Sequence, residues 1–203
     1  MKIICIGRNY VAHVKEFNSP MPEKPVFFLK PETAIILNKQ PFFYPDFSKN
    51  IHYEIELVLK ICKLGKNIQE KFASTYYDEI ALGIDFTARD IQNECVKKGL
   101  PWEISKAFDG SAAIGKFINK NDLEPLSNID FYLTKNGSIV QQSKASDMIF
   151  NFDHLISYVS QFFTLKIGDL IFTGTPSGVG PVEINDELEG YMNGEKNFKL
   201  LIK

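Results

Sequence analysis

Polar and apolar positions alternate most regularly over residues 51–60, IHYEIELVLK. There Tyr53, Ile55, Leu57 and Leu59 take one parity and His52, Glu54 and Glu56 take the other. Side chains of a strand point to opposite faces in turn, so this run predicts a strand with one apolar face and one face bearing two carboxylates and an imidazole. Shorter apolar runs predict strands at 2–6, ending in Gly7, and at 26–29, 79–85 and 169–172, those at 26–29 and 79–85 being buried. Asn136-Gly137 within 131–142 predicts a hairpin, and Asn193-Gly194 between 186–191 and 196–202 predicts a second one that closes the sheet. Helical spacing is confined to short stretches. Residues 9–18 have Asn9 as a cap and stop at Ser19-Pro20, and 67–76 carry Ile68, Phe72 and Ala73. Residues 87–99 end at Gly99, and 152–165 put Leu155, Ile156, Val159, Phe162 and Phe163 on one core-packing stripe. Pro31, Pro41 and Pro45 keep 32–47 in extended pieces and turns. These elements add up to a mainly β domain with a few short helices, a mixed β-sandwich or rolled barrel.

Composition narrows the classes. A chain of 203 residues reads as one domain that can bury a core without disulfides. Its net charge of -2, with no Lys and Arg cluster interleaved with aromatics, gives no reason to expect a nucleic-acid partner. No apolar run approaches a membrane span, so no membrane is expected either. Cys5, Cys62 and Cys95 are odd in number and widely spaced, which predicts free thiols in a reducing compartment. The N-terminal apolar run reaches Arg8 too soon for a signal peptide, and a soluble cytoplasmic protein is expected.

Candidate chemistry begins with Glu54 and Glu56. Same-face neighbours on a strand lie about 7 Å apart, so two ionised carboxylates there repel unless a cation stands between them. A divalent ion would serve, and oxygen ligands favour magnesium, manganese or calcium over zinc. The same pattern also suits a solvated strand face with lysines nearby. His13 and Glu16 share a helical face; a carboxylate so placed holds an imidazole in one tautomer, as a general base requires, though a surface helix shows such pairs too. If Asp85 ends its strand at the junction with the next helix, Asp85, Arg89 and Gln92 point the same way. They would form either a simple salt bridge or a fork for a small carboxylate. Lys106, between Trp102 and the glycines 110 and 115, belongs either to a site or to a lysine snorkelling past Trp102 and Phe108. The glycine-dense residues 173–181 let backbone N–H groups approach an anion, but they lack the lysine ending of a phosphate loop.

Six blocks stand in one order: GRNYVAHVKE at 7–16, PVFFLKPETA at 25–34, IHYEIELV at 51–58, GIDFTARDIQ at 83–92, GLPWEISKAFDG at 99–110 and LIFTGTPSGVGPV at 170–182. With these the chain resembles the fumarylacetoacetate hydrolase family, in particular its short single-domain members similar to acylpyruvase and oxaloacetate decarboxylase. The resemblance implies the fold of a fumarylacetoacetase C-terminal domain. It implies that Glu54, Glu56 and Asp85 bind Mg2+ or Mn2+, with Ca2+ a further hard cation of the same class. It further implies a His13–Glu16 dyad on a mobile lid of about residues 9–20, and Lys106 beside the metal. Arg89, Gln92 and Thr175 match positions that hold a substrate's carboxylate and keto oxygens, and His52 matches one that supports the ligands from behind. Ala113 departs from the proline that close relatives often carry.

The activity so implied is hydrolysis of the C–C bond of an acylpyruvate-type diketo acid. His13 would deprotonate a water, and a pyruvate enolate would leave, its charge stabilised by the metal and Lys106. Oxaloacetate decarboxylation and keto–enol tautomerisation would use the same site and stand as the alternatives. The expected partners are a small keto-carboxylate substrate and a second copy of the chain, since relatives are usually homodimers. A reading from another class is a non-catalytic β-domain that binds a metal or a carboxylate, against which the intact dyad counts.

Overall fold

A computed structural model describes residues 1–36, 40–123 and 125–203. Its largest sheet has seven strands: β2 (Val26–Lys30), β1 (Ile3–Gly7), β11 (Leu170–Phe172), β4 (Ile55–Ile61), β5 (Tyr77–Asp85) and β7 (Ala112–Ile114) in that order, with β8 (Ile118–Asn119) also on β5. Of the strand pairs described in this sheet, β1 with β11 is parallel and the others are antiparallel. A second sheet has four strands, β10 (Ser138–Lys144), β9 (Asp130–Lys135), β13 (Glu187–Met192) and β14 (Glu195–Leu201), and a third joins β12 (Gly180–Pro181), β3 (Ile51–Tyr53) and β6 (Thr87–Ala88). Five short α-helices are described, α1 (Val11–Glu16), α2 (Glu70–Ala73), α3 (Arg89–Lys98), α4 (Glu103–Lys106) and α5 (Phe152–Phe162), together with four single turns of 3-10 helix. The fold is thus mainly β, built on a curled half-barrel sheet. No helix among the described residues is long and apolar enough to cross a membrane.

Packing explains why the central strands read as nearly continuous apolar runs. Leu57, Leu59, Leu82 and Ile84 face a large core shared with Phe131, Leu133 and Leu188 of the second sheet and Leu155, Ile156 and Val159 of α5. Val58 turns the other way, into a smaller cluster with Ile3, Cys5 and Phe172. Strands buried on both faces lose the in-out alternation of composition; Glu56 and Asp85 are the buried acids that interrupt the runs, while Lys60, Asp78 and Glu79 sit partly exposed or exposed at the other end of the pair.

The two Asn-Gly hairpins form as expected, with Asn136 and Asn193 at positive φ, but both lie in the four-stranded sheet, so the second hairpin does not close the first sheet. Four further expectations need correction. Residues 51–60 are not one strand: the chain changes sheets at Glu54, because Ile55 N–H leaves the ladder and donates to Gln141 Oε1 at 2.9 Å. Asn9 caps no helix; α1 starts after Tyr10, and the Asn9 side chain is instead fully buried, donating to the carbonyls of Phe150 (3.0 Å) and Thr173 (2.8 Å) and accepting from Phe150 N–H. The strand at 26–29 is an edge strand with half-buried phenylalanines, and its one buried side chain is the terminal Lys30. The helices at 67–76 and 152–165 shorten to α2 and α5, which leaves Phe72 and Phe162 about half exposed rather than in the core.

Candidate metal centre and active site

The register of β4 on β5 builds the centre. Ile55 stands opposite Ile84 and Glu56 opposite Gly83, and Asp85 N–H donates to the Glu54 carbonyl, so Glu54 and Asp85 face one another at the strand ends with Glu56 two residues along. Directly paired positions bring side chains within about 5 Å, which a single strand could not do. One ligand oxygen from each of the three carboxylates lies within 4.8 Å of the others, and all three residues are at most 5% exposed.

Three cations face these three acids. Lys106, delivered by α4, donates to Glu54 Oε2 (2.8 Å), Asp85 Oδ2 (2.8 Å) and Thr87 Oγ1 (2.6 Å). Arg89, the first residue of α3, holds the other Glu54 oxygen and also Gln92 Oε1. Lys30 Nζ lies 2.8 Å from Asp85 Oδ1 and bonds Ser111 Oγ and the Lys106 carbonyl. Burial would raise the Glu54 carboxyl, but Lys106 and Arg89 outweigh it and hold the group well below the ordinary range. Burial likewise opposes charge on Lys106, yet Asp85 and Glu54 keep it more strongly protonated than usual. Glu56 has no such cation among the described residues. Burial, with Asp85 and Glu54 close by, pushes it well up, and its one strong donor is Gly174 N–H at 2.7 Å.

The donor set fits a hard divalent cation. Among the described residues Asp85 Oδ1 accepts no hydrogen bond, since Lys30 approaches it off the line of one, so a buried lone pair is left over. Glu56 carries a further carboxylate that no lysine or arginine neutralises. Glu54, Glu56 and Asp85 are therefore residues that could hold a hard divalent cation.

A cleft of about 340 Å³ opens over the carboxylates and is lined by Arg8, His13, Gln92, Trp102 and Thr175 among others. His13 Nδ1 lies 3.1 Å from Glu16 Oε2, and the other Glu16 oxygen accepts from Gly178 N–H at 3.1 Å. The glycine-rich loop thus does bring N–H groups to anions, but the anions are the chain's own Glu56 and Glu16. Thr175 accepts from Gln141 Nε2 at 2.9 Å. His52 lies outside the cleft's lining: its Nε2 pairs with Asn50 Oδ1 at 3.0 Å, and Nδ1 has no partner among the described residues.

Three residues escaped sequence reasoning. Lys30 closes an apolar strand, where a lysine ordinarily reaches solvent. Gln141 ties Ile55 to Thr175 and Pro176 across two sheets and left no local signal. Arg8 lines the cleft in the left-handed region at φ 61°, a conformation that costs a residue with a side chain about 1–2 kcal/mol; its place just after Gly7 was the one hint.

Comparison with known proteins identifies the family. The family model described as fumarylacetoacetate (FAA) hydrolase C-terminal matches residues 2–199. Mouse oxaloacetate tautomerase FAHD1, a mitochondrial protein, is 43% identical over 201 residues, spanning 99% of this chain and 91% of its own. Mitochondrial oxaloacetate decarboxylase of Dictyostelium discoideum is 43% identical over 90% of this chain and 84% of its own. Fumarylpyruvate hydrolase of Pseudomonas aeruginosa, solved in complex with Mn2+ and pyruvate, superposes with a TM-score of 0.93 at 37% identity, covering all of this chain and 89% of that one. With matching sequence over its whole length and a matching fold, this chain belongs to the fumarylacetoacetate hydrolase family.

Proposed function

We propose that the protein is a Mg2+- or Mn2+-dependent enzyme of 2-keto acids that moves a proton at the carbon beside the keto group, with keto–enol tautomerisation of oxaloacetate as its leading reaction. The observation that carries this reading is His13, the cleft's sole imidazole, braced by Glu16 and opening on the same space as the three carboxylates. The similarity to oxaloacetate tautomerases over nearly the whole chain supports the choice of substrate.

A cation held by Glu54, Glu56 and Asp85 would supply Lewis acidity to the substrate's keto oxygen and carboxylate. Everything else falls to the chain. Lys106, kept as an ammonium by Asp85 and Glu54, cannot serve as the base; it places positive charge where the keto oxygen gains electrons. His13 takes the proton from carbon in the keto-to-enol direction, the enolate oxygen gaining its own proton from solvent on release, and gives a proton back to carbon in the reverse direction, while Glu16 fixes its tautomer. Gln92 and Thr175 offer polar contacts to the substrate's oxygens, while Arg89 works through Glu54. Trp102, Phe28 and Val14 keep the cleft wall apolar, which strengthens each charge inside it.

Hydrolysis of an acylpyruvate is the second reading, favoured by the fumarylpyruvate hydrolase likeness and by a dyad that could equally activate a water. Decarboxylation differs in needing no base. The test follows the enol absorbance of oxaloacetate, its decarboxylation and acetylpyruvate cleavage, with and without Mg2+. His13→Ala should slow tautomerisation by about 10²–10⁴ while sparing decarboxylation. A metal-loaded wild type that turns over neither compound would overturn the enzymatic reading in favour of a binding domain.

A further inference from the structure

We infer that Arg8 is the receptor for a second, remote carboxylate, so that the site takes keto acids with a carboxylate at both ends in preference to those with one. This rests on the 2-keto acid reading above and specifies its substrate class.

Arg8 is half-buried and lines the same cleft as His13, Glu54 and Lys106. Each other cation near the carboxylates is already engaged: Arg89 by Glu54 and Gln92, Lys106 by Glu54 and Asp85, and Lys30 by Asp85. Arg8 has no ion pair among the described residues. Lys97 also reaches the cleft without one, but it stands exposed on α3, where water already solvates its ammonium.

The backbone shows that this placement is imposed. Gly7 is held opposite Val26 in the β1–β2 ladder, and Asn9 is locked by its bonds to Phe150 and Thr173. Between two pinned neighbours Arg8 stays at φ 61°, where few residues other than glycine are at ease. Strain kept at a cleft-lining residue with an unclaimed guanidinium marks a binding group, and a planar fork of N–H donors fits a carboxylate through two parallel bonds. Charge agrees with this. In net charge Lys30, Lys106 and Arg89 balance the three carboxylates, although all three cations stand on Glu54 and Asp85 and none on Glu56, so a divalent cation and Arg8 together add three positive charges. The ionised enol of a keto-dicarboxylate carries three negative charges; that of a keto-monocarboxylate carries two.

The test uses stable 2-hydroxy analogues, malate in both enantiomers against lactate, titrated into the magnesium-loaded chain and read by the fluorescence of Trp102, the single tryptophan. Arg8→Gly suits the left-handed backbone and so keeps the fold, and Arg8→Lys retains the charge without the fork. The wild type should bind malate at least about tenfold tighter than lactate. Arg8→Gly should weaken malate about 10- to 100-fold and leave lactate within about twofold, with Arg8→Lys in between. In turnover, Arg8→Gly should lower kcat/KM for oxaloacetate far more than for acetylpyruvate. A wild type without preference, a preference that survives in Arg8→Gly, or one removed by Lys97→Ala would overturn the assignment. The binding arm decides it even where the wild type turns over neither keto acid, an outcome that would sink the enzymatic reading alone.

Discussion

Lys106 shows how much one buried side chain settles. Its ammonium stands between Glu54 and Asp85 with almost no exposure, and removal would strand both acids beside only Arg89 and Lys30. Breaking such a buried pair costs about 3–5 kcal/mol, so urea unfolding of Lys106→Met in EDTA should show a loss of that order, partly recovered by Mg2+ as one positive charge replaces another. His52 gives a pH signature of its own. Burial, and then the Arg89 guanidinium, lower its pKa to about 4 from an unfolded value of 6.5. Between those values the unfolded chain binds more protons, so this contribution is whole above about pH 6.5 and is lost as pH falls through 4. His52→Gln should flatten stability between pH 6.5 and 5, and an unchanged slope would show that the imidazole is not held neutral by the fold.

At the scale of elements, the β4–β5 pair is the part that tolerates least. A Cβ on Gly83 would lie 2.7 Å from the Phe172 ring and 2.8 Å from both Ala113 O and Val58 Cγ2. Gly83→Ala should therefore destabilise by about 1–3 kcal/mol in thermal or chemical unfolding and, by spreading the strands, weaken Mg2+ binding as well. This pair was also the most legible element. Alternation put Glu54 and Glu56 on one face, and that parity survives the change of sheet at Glu54. The change itself was invisible, because the partner that draws Ile55 N–H away is Gln141, 86 positions on. Lys30 was hidden for a similar reason: the groups that make a strand-end lysine a buried one, Asp85, Ser111 and the Lys106 carbonyl, all lie far along the chain. Asn9 was misread because a helix cap and a buried tether call for the same side chain.

Taken whole, the molecule would couple its fold to an ion held by Glu54, Glu56 and Asp85. Burial, Asp85 and Glu54 raise Glu56 well above an ordinary carboxyl, so the charged form needed by a metal is disfavoured until the metal arrives. Mg2+ binding should expel a proton and weaken as pH drops from 7 to 5, measurable by calorimetry in buffers of different ionisation enthalpy. Glu56→Gln should abolish the proton release, and with it most of the rise in Tm that Mg2+ gives the wild type. The family was readable at this scale from six blocks in a fixed order. The reaction was not, since the same acids and imidazole suit tautomerisation, decarboxylation and hydrolysis. One last feature spans the molecule: Gly174 and Gly178, four residues apart, grip Glu56 at one end of a short loop and Glu16 at the other. That loop is a yoke. A cation that drew Glu56 aside would slacken the peptide run that steadies α1, and by thermodynamic reciprocity a loosening of α1 would alter cation avidity by the same factor.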